Sequence, residues 1–390
     1  MTNVSPIAPE ALTESTLFPL LMGQQCPLAA WRLPGSSKTH LITADGYEEL
    51  NADDLLEELE AGFIFAPYDR NKKRLFIPAQ QLFIFEDGEY KPPSSPAEHA
   101  GRQWLATAKE QPAPPRTVNA APAATTDREH FVNIVQAAID AINTGAFEKV
   151  VPSRIKTISL PPDFDVVAAF QKLASRYPEA LISYVSIPGL GQWLGASPEV
   201  LINVQDRRYF RTVALAGTQA WEPGIDPRKV SWTQKEIEEQ ALVARYIISC
   251  FKSVRLREYE EQGPKTVVAG NLMHLKSEFT VDMEATNFPL IGSVMLGLLH
   301  PTSAVCGMPL QAAQDFLARY EGYDRKFYAG YLGPVNVYNN IELFVNLRCM
   351  QVCGSTGIFY AGAGVTADSD PAKEWAETEM KLNTLLNIIL

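Results

Sequence analysis

From Ser183 to Thr218 the chain reads SYVSIPGLGQWLGASPEVLINVQDRRYFRTVALAGT, a long run of apolar and β-branched residues with turn signals only at Pro188-Gly189 and Asp206-Arg207. Strands joined by so few residues can pair only antiparallel, because a parallel return needs a crossover of a dozen or more residues. The same pattern precedes residue 91 in GFIFAP and RLFIPAQQLFIFEDGEY, which turns at Asp87-Gly88. It returns in GYLGPVNVYNNIELFVNLRCMQV, with a turn at Asn339-Asn340, and in a last strand, GIFYAGAG. Helical patterns separate these blocks. The chain is therefore read as an α+β protein with large, mostly antiparallel sheets rather than a doubly wound parallel one.

Residues 91–125 are rich in proline and alanine, with Pro92, Pro93, Pro96, Pro112, Pro114, Pro115 and Pro122, and read as a surface connection. They divide the chain into an N-terminal part, 1–125, and a larger part, 126–390. Thr126 and Glu129 form a capping-box signature for a helix through Phe131, Ile134, Ala138 and Ile142, closed by Gly145. A strand from Lys149 to Ile158 follows. A long helix is expected around 233–256, and Asp370-Pro371 opens a C-terminal one.

The formal net charge of −11 argues against nucleic acid and anionic membranes as partners. Any anionic ligand then needs locally placed cations or a metal. The N-terminal MTNVSPIAPEALTEST has no signal-peptide pattern, and no apolar run approaches the roughly 20 residues of a membrane helix. A cytoplasmic protein is expected. The five cysteines are irregularly spaced, and the C-x3-C of Cys349 and Cys353 has no second pair, which argues against zinc and for reduced thiols.

Two helical segments each carry glutamates three residues apart: Glu236 with Glu239, and Glu374 with Glu377. Residues at that spacing share a helix face, and four carboxylates facing one point would suit a hard cation such as Mg2+. Lys381 follows Glu377 by one turn. The bland alternative is a solvated acidic face with an ordinary surface ion pair. Lys149 opens a strand among apolar neighbours, where burial would lower its proton affinity and make it a general base; a lysine at a strand end is the plainer reading. Glu199, behind the GASPE turn, is a general acid if desolvated and a solvated turn residue if not. ALAGT (Ala216, Gly217, Thr218) and YAGAGV (Gly362, Ala363, Gly364) read as small-residue turns that let backbone approach a ligand. Arg348 stands as a lone cation in an apolar strand and needs an anion unless it faces solvent. His274 and His300 fit core positions as well as a site.

In order, KVVPSR, GASPE, ALAGT, K-E-x-x-E, His274-Leu275, HPTSAVCGMP, D-R-x-F-Y-A-G, V-N-L-R, Y-A-G-A-G and S-D-P-x-x-E-W-x-E-T-x-x-K resemble the motifs of the chorismate-utilising enzymes, nearest to their isochorismate synthase branch. The resemblance covers about residues 126–390; residues 1–125 resemble only loosely the variable half of the same fold. It implies a β-sandwich core with helices outside, an active site in a cleft, and Mg2+-dependent conversion of chorismate to isochorismate for menaquinone or catechol siderophore synthesis. By this resemblance Lys149 is the general base that activates water and Glu199 the general acid. Glu239 and Glu377 hold Mg2+, with Glu236 and Glu374 as supporting partners. Arg348 and Lys381, with the amides of Gly362, Ala363 and Gly364, grip the enolpyruvyl carboxylate. Ala216, Gly217, Thr218, His274, Ala304 and Tyr328 match other pocket positions. A monomer without an amidotransferase subunit is implied.

Anthranilate synthases typically lack the lysine that Lys149 supplies. Aminodeoxychorismate and salicylate synthases usually carry a threonine-type pattern where this chain has Ala304; salicylate synthase is the nearest alternative. A non-catalytic binding protein would have lost acid, base or metal ligands. Three departures stand out: Pro152, which predicts an edge or bulge because it has no N–H; Ser303 and Cys306 in HPTSAVCGMP; and no arginine after ALAGT.

Overall fold

Period-two alternation sorts the strand side chains into two apolar layers. On Leu181–Ile187, Val185 and Ile187 join one buried cluster, and Ile182 and Tyr184 join another. On Gly191–Ser197, Trp193 goes to the first, and Leu194 and Ala196 go to the second. Such strands need cover on both faces. In the computed structural model, which describes residues 13–92, 94–105, 124–222, 224–269 and 272–390, two nine-stranded sheets face each other with helices outside.

The first sheet runs Glu89–Tyr90, Gln81–Glu86, Lys38–Thr43, Leu28–Arg32, Leu181–Ile187, Gly191–Ser197, Cys349–Cys353, Thr356–Gly362 and Ser153–Ser159. The second runs Glu260–Ala269, Leu272–Asp282, Tyr209–Ala220, Val200–Gln205, Asn340–Val345, Tyr331–Val337, Gly62–Ala66, Arg74–Pro78 and Glu48–Leu50. The ladders among the described residues are antiparallel. Asp206 and Arg207 take φ of 53° and 54°, the two left-handed residues of a tight hairpin turn. The 331–345 hairpin turns at Tyr338-Asn339, one residue earlier than expected, because Asn340 already pairs with Val337.

Residues 28–90 supply four strands at one end of the first sheet and three at the matching end of the second. The proline-rich stretch is more than a connection: Pro96–Leu105 is a helix packed on the Gln81–Glu86 strand, where Gly101 lies against Leu82 and Phe83. Pro96 serves as its first residue. Pro93, Pro112, Pro114, Pro115 and Pro122 lie outside the described residues.

The Arg128–Asn143 helix is capped by Asp127, whose carboxylate accepts from His130 N at 2.7 Å; Thr126 instead accepts from Ile155 N. Pro152 breaks the strand expected from Lys149 to Ile158. Lys149–Val150 pairs with Gly307–Met308 in a small ribbon, and Ser153–Ser159 becomes an edge of the first sheet. Helices Glu14–Gly23, Val166–Arg176 and Pro371–Ile389 cover the outer face of the first sheet. Gln234–Ser253 and Ile291–Leu299 pack with residues of the second. Among the described residues no helix is long and apolar enough to cross a membrane.

At two neighbouring places the chain leaves one sheet and enters the other. Gly191–Ser197 passes through Pro198-Glu199 into Val200–Gln205, and Asn340–Val345 passes through Asn346-Leu347-Arg348 into Cys349–Cys353. Trp193 fills the space between the layers, stacked on Tyr360 at 5.4 Å and edge-on to Phe65 of the opposite sheet at 6.0 Å. Trp193→Ala is expected to cost about 3–5 kcal/mol in urea unfolding, as large core truncations do; a loss below about 1 kcal/mol would show that this layer carries little of the stability.

Candidate active site

The two crossings are bonded to each other. Ser197 Oγ donates to Val345 O, Val345 N donates to Glu199 O at 2.9 Å, and Ala196 N donates to Arg348 O at 3.0 Å. Arg348 therefore lies in a crossing and not within a strand as expected, with a φ of 46°. These bonds hold Glu199 and Arg348 side by side at the end of the sandwich, in the wall of a pocket of about 60 Å3.

Glu199 is buried with no ion pair among the described residues. Burial pushes its carboxyl up to about 7, against the opposing pull of Lys149, then Lys381 and Arg348. Arg348 is buried too and makes no ion pair among the described residues. Its guanidinium meets His274 Nε2 at 3.4 Å. His274 Nδ1 lies 2.8 Å from Gly217 O, so the ring donates there and keeps Nε2 as an acceptor for Arg348. Burial first, and then Arg348, bring His274 down to about 3, which holds it neutral. A buried guanidinium whose one hydrogen-bonded side chain among the described residues is neutral calls for an anion.

Ala216, Gly217 and Thr218 line the pocket, but ALAGT is no turn. It lies inside the Tyr209–Ala220 strand, where the pairing register slips between Ala216 and Gln219 and Gly217 takes a φ of 68°. This is a β-bulge, which redirects backbone at a site without ending the strand. Ala304, Gly362, Gly364 and Lys381 line it too, together with Glu239 and His274. A Cβ on Gly364 would run into Glu239 Oε1 and lie 3.2 Å from Cε of Lys149, so any side chain there must displace the Glu239 carboxylate.

Lys149 is fully buried, and its Nζ stands 2.9 Å from Glu239 Oε1. Lys381 Nζ pairs with Glu377 Oε1 at 2.7 Å and donates to Gly362 O at 2.8 Å. Tyr328 is buried behind the lining, stacked on Tyr360 at 5.2 Å with its hydroxyl toward Gly362. Ala363 does not face the pocket. Its side chain joins the cluster under the Arg128–Asn143 and Leu310–Tyr320 helices, and its N–H donates to Pro152 O at 3.1 Å, so that amide is already used. His300 is a core residue, 3.1 Å from Pro67 O and edge-on to Tyr331.

The four glutamates do not act as one set. Glu236 caps its own helix, accepting from Thr233 N at 2.8 Å and from Gln219 Nε2 at 2.9 Å. Glu239, Glu374 and Glu377 each carry a lysine: Lys149, Lys235 at 2.6 Å, and Lys381. As arranged, no group of three His, Cys, Asp or Glu side chains among the described residues stands ready to hold a metal ion. Glu374 is nonetheless buried with Oε2 lacking any hydrogen-bond partner among the described residues, and burial and then Glu377 push its carboxyl up to about 7. An orphaned carboxylate oxygen beside two more carboxylates fits a hard cation.

Three features were not singled out in the sequence. Lys235 sits four residues before Glu239, a spacing that marks one helix face. Thr302 is buried with its hydroxyl unpartnered among the described residues, close enough to Glu199 to favour its charged form. Glu321 and Arg325, also four apart, form a buried ion pair in which Arg325 Nε donates to Glu321 Oε2 at 2.8 Å. Arg325 also donates to Val151 O at 2.7 Å and Val305 O at 2.8 Å, while Glu321 accepts from Ser153 N at 2.7 Å. One pair thus ties the segments bearing Lys149, Ala304 and Tyr328.

The family described as chorismate binding enzyme matches residues 72–390. The chain belongs to the chorismate binding enzyme family. Isochorismate synthase EntC of Escherichia coli is 29% identical over 263 residues, covering 66% of this chain and 66% of that protein, just under two thirds of its length. Anthranilate synthase component 1 of Methanothermobacter marburgensis is 27% identical over 270 residues, covering 66% of this chain and 56% of that one. Overall identity therefore does not separate the reactions within this family. In fold, the chain is similar to MenF, the menaquinone-specific isochorismate synthase from Escherichia coli, with a TM-score of 0.75, 22% identity, and coverage of 95% of this chain and 90% of that one. In this chorismate binding enzyme, Glu321→Gln is expected to lose about 3–5 kcal/mol of unfolding free energy by leaving Arg325 buried and unpaired. Because Arg325 also serves Val151 O and Val305 O, Arg325→Met should destabilise as well; a loss below about 1 kcal/mol for Glu321→Gln would show that the pair carries little of the stability.

Proposed function

We propose that this protein is an isochorismate synthase, an isomerase that adds water at C2 of chorismate while the C4 hydroxyl leaves. The observation that carries this reading is Glu199, buried and poised near 7 in the pocket wall, within the field of buried Lys149, whose partner Glu239 lines the same pocket. Such a reaction needs one group to give a proton and another to take one at the same pH. Glu199 donates its proton to the departing C4 oxygen, and Lys149 Nζ, acting as the neutral amine once its pair with Glu239 is parted, takes one from the attacking water as its oxygen bonds to C2 and the ring double bonds shift. Atoms balance: one water enters and one leaves.

Chorismate carries two carboxylates, and the chain has a net charge of −11, so attraction must be local. Arg348, with its neutral histidine partner, and Lys381 supply it. Glu239, Glu374 and Glu377 are the residues that would hold Mg2+, which when bound offsets the charge of the ring carboxylate. The pocket is smaller than the about 300 Å3 of an ordinary small-molecule site, so substrate must part the lysine–glutamate pairs as it enters. Lys149 in place of an ammonia-using site, and Ala304 in the lining, favour isochorismate over anthranilate or salicylate as product. That product serves menaquinone or catechol siderophore synthesis.

Purified protein with chorismate and MgCl2 should yield isochorismate by chromatography; salicylate with pyruvate as the initial products would replace this reading with a lyase. Lys149→Ala should lose about 100-fold or more in kcat while still binding chorismate, and near-wild-type turnover would remove Lys149 as base. Glu199 must be protonated to act, so kcat/KM should fall as pH rises through about 7. A profile flat from pH 6 to about 9 would exclude Glu199 as the acid.

A further inference from the structure

Lys235 projects from the first turn of the Gln234–Ser253 helix, on the face that bears Glu239, and reaches across to Glu374 on the Pro371–Ile389 helix. It is largely buried and is not part of the pocket lining. Its ammonium lies 2.6 Å from Glu374 Oε1 and feels the charges of Glu239 and Glu377 as well. The turn that carries it is fixed twice: Glu236 caps the helix start and accepts from Gln219, and the Gly217 bulge packs on Glu236, where an added Cβ would meet Glu236 Cβ at 3.3 Å. Lys149 and Lys381 also pair with carboxylates, but the proposed reaction gives each of them work. Lys235 has none.

Three carboxylates so close together repel one another, and Glu374 is almost fully buried with an unpartnered oxygen. Something positive must stand among them whether or not a metal is bound. We propose that Lys235 is a built-in placeholder for the divalent cation: its ammonium neutralises Glu374 and the neighbouring carboxylates, and Mg2+ binding must exchange that ammonium for the metal. Lys235 thus competes with Mg2+ and sets its affinity, so that metal is held weakly until substrate contributes its own carboxylate. This rests on the reading of Glu239, Glu374 and Glu377 as the metal-holding residues.

The test is calorimetric titration of EDTA-stripped protein with MgCl2 in the absence of chorismate, with thermal melting of the same samples. Lys235→Met should bind Mg2+ about five-fold or more tightly than wild type. Its metal-free melting temperature should fall by about 2–4 °C or more, with a larger rise on adding Mg2+. Lys235→Gln should move both quantities the same way, which covers the case in which the methionine variant folds poorly. Lys252→Gln, at the far end of the same helix, removes one positive charge and should change neither. If wild type binds Mg2+ and both Lys235 variants bind it no more tightly, the placeholder idea is overturned. If neither wild type nor either Lys235 variant binds Mg2+, the metal reading fails and the placeholder with it.

Discussion

The whole site depends on one constraint: two chain crossings between the sheets are bonded side by side. Hairpins with tight turns can build flat antiparallel layers, but they offer no interior for charged groups. Where Ser197 leads into Val200 and Val345 leads into Cys349, the chain changes layers, and backbone at the end of the sandwich is free to present side chains. The Ser197–Val345, Glu199–Val345 and Ala196–Arg348 bonds lock those crossings together. Glu199 and Arg348 are held by this lattice rather than by flexible loops, the kind of rigid support a catalytic group needs.

On that frame the protein gathers charge at a cost it offsets locally. Burial alone would neutralise Glu199, and three nearby cations only partly oppose this, which leaves it close to 7. His274 is held neutral by burial and by Arg348, so Arg348 keeps its attraction for an anion. Each of Glu239, Glu374 and Glu377 carries a lysine. Separating a buried charged pair leaves each member uncompensated, so under the proposed function substrate and cation supply the missing charges together. Coupling of this kind would explain how an acidic protein admits a dicarboxylate.

Much of the fold was legible because its turns are short. Asp206-Arg207 announces a hairpin by residue type, and Asp370-Pro371 announces a helix. The change of sheet was not legible, since GASPEVL and FVNLRC keep an apolar pattern straight through the crossing, and periodicity does not say which layer a strand joins. ALAGT looked like a turn for the same local reason: a bulge and a turn both need a glycine with positive φ. Thr233, three residues before Glu236, completes a T-x-x-E pattern that signals a capping box. Spacing put Glu236 on the correct helix face, and capping claimed its carboxylate. In sequence, Lys235 among acids reads as surface balance until its burial is known. Arg325 reads the same way until three separate segments are seen to converge on it.

The central claim is that Lys149 and Glu199 act on water and on a leaving hydroxyl at different carbons of one ring. Running the reaction in heavy-oxygen water and analysing the product by mass spectrometry tests it most directly. The account predicts isochorismate carrying one solvent oxygen, located at C2. Isochorismate with only the oxygen of the starting hydroxyl would mean that the group migrates within the substrate, and would contradict the assignment of base and acid.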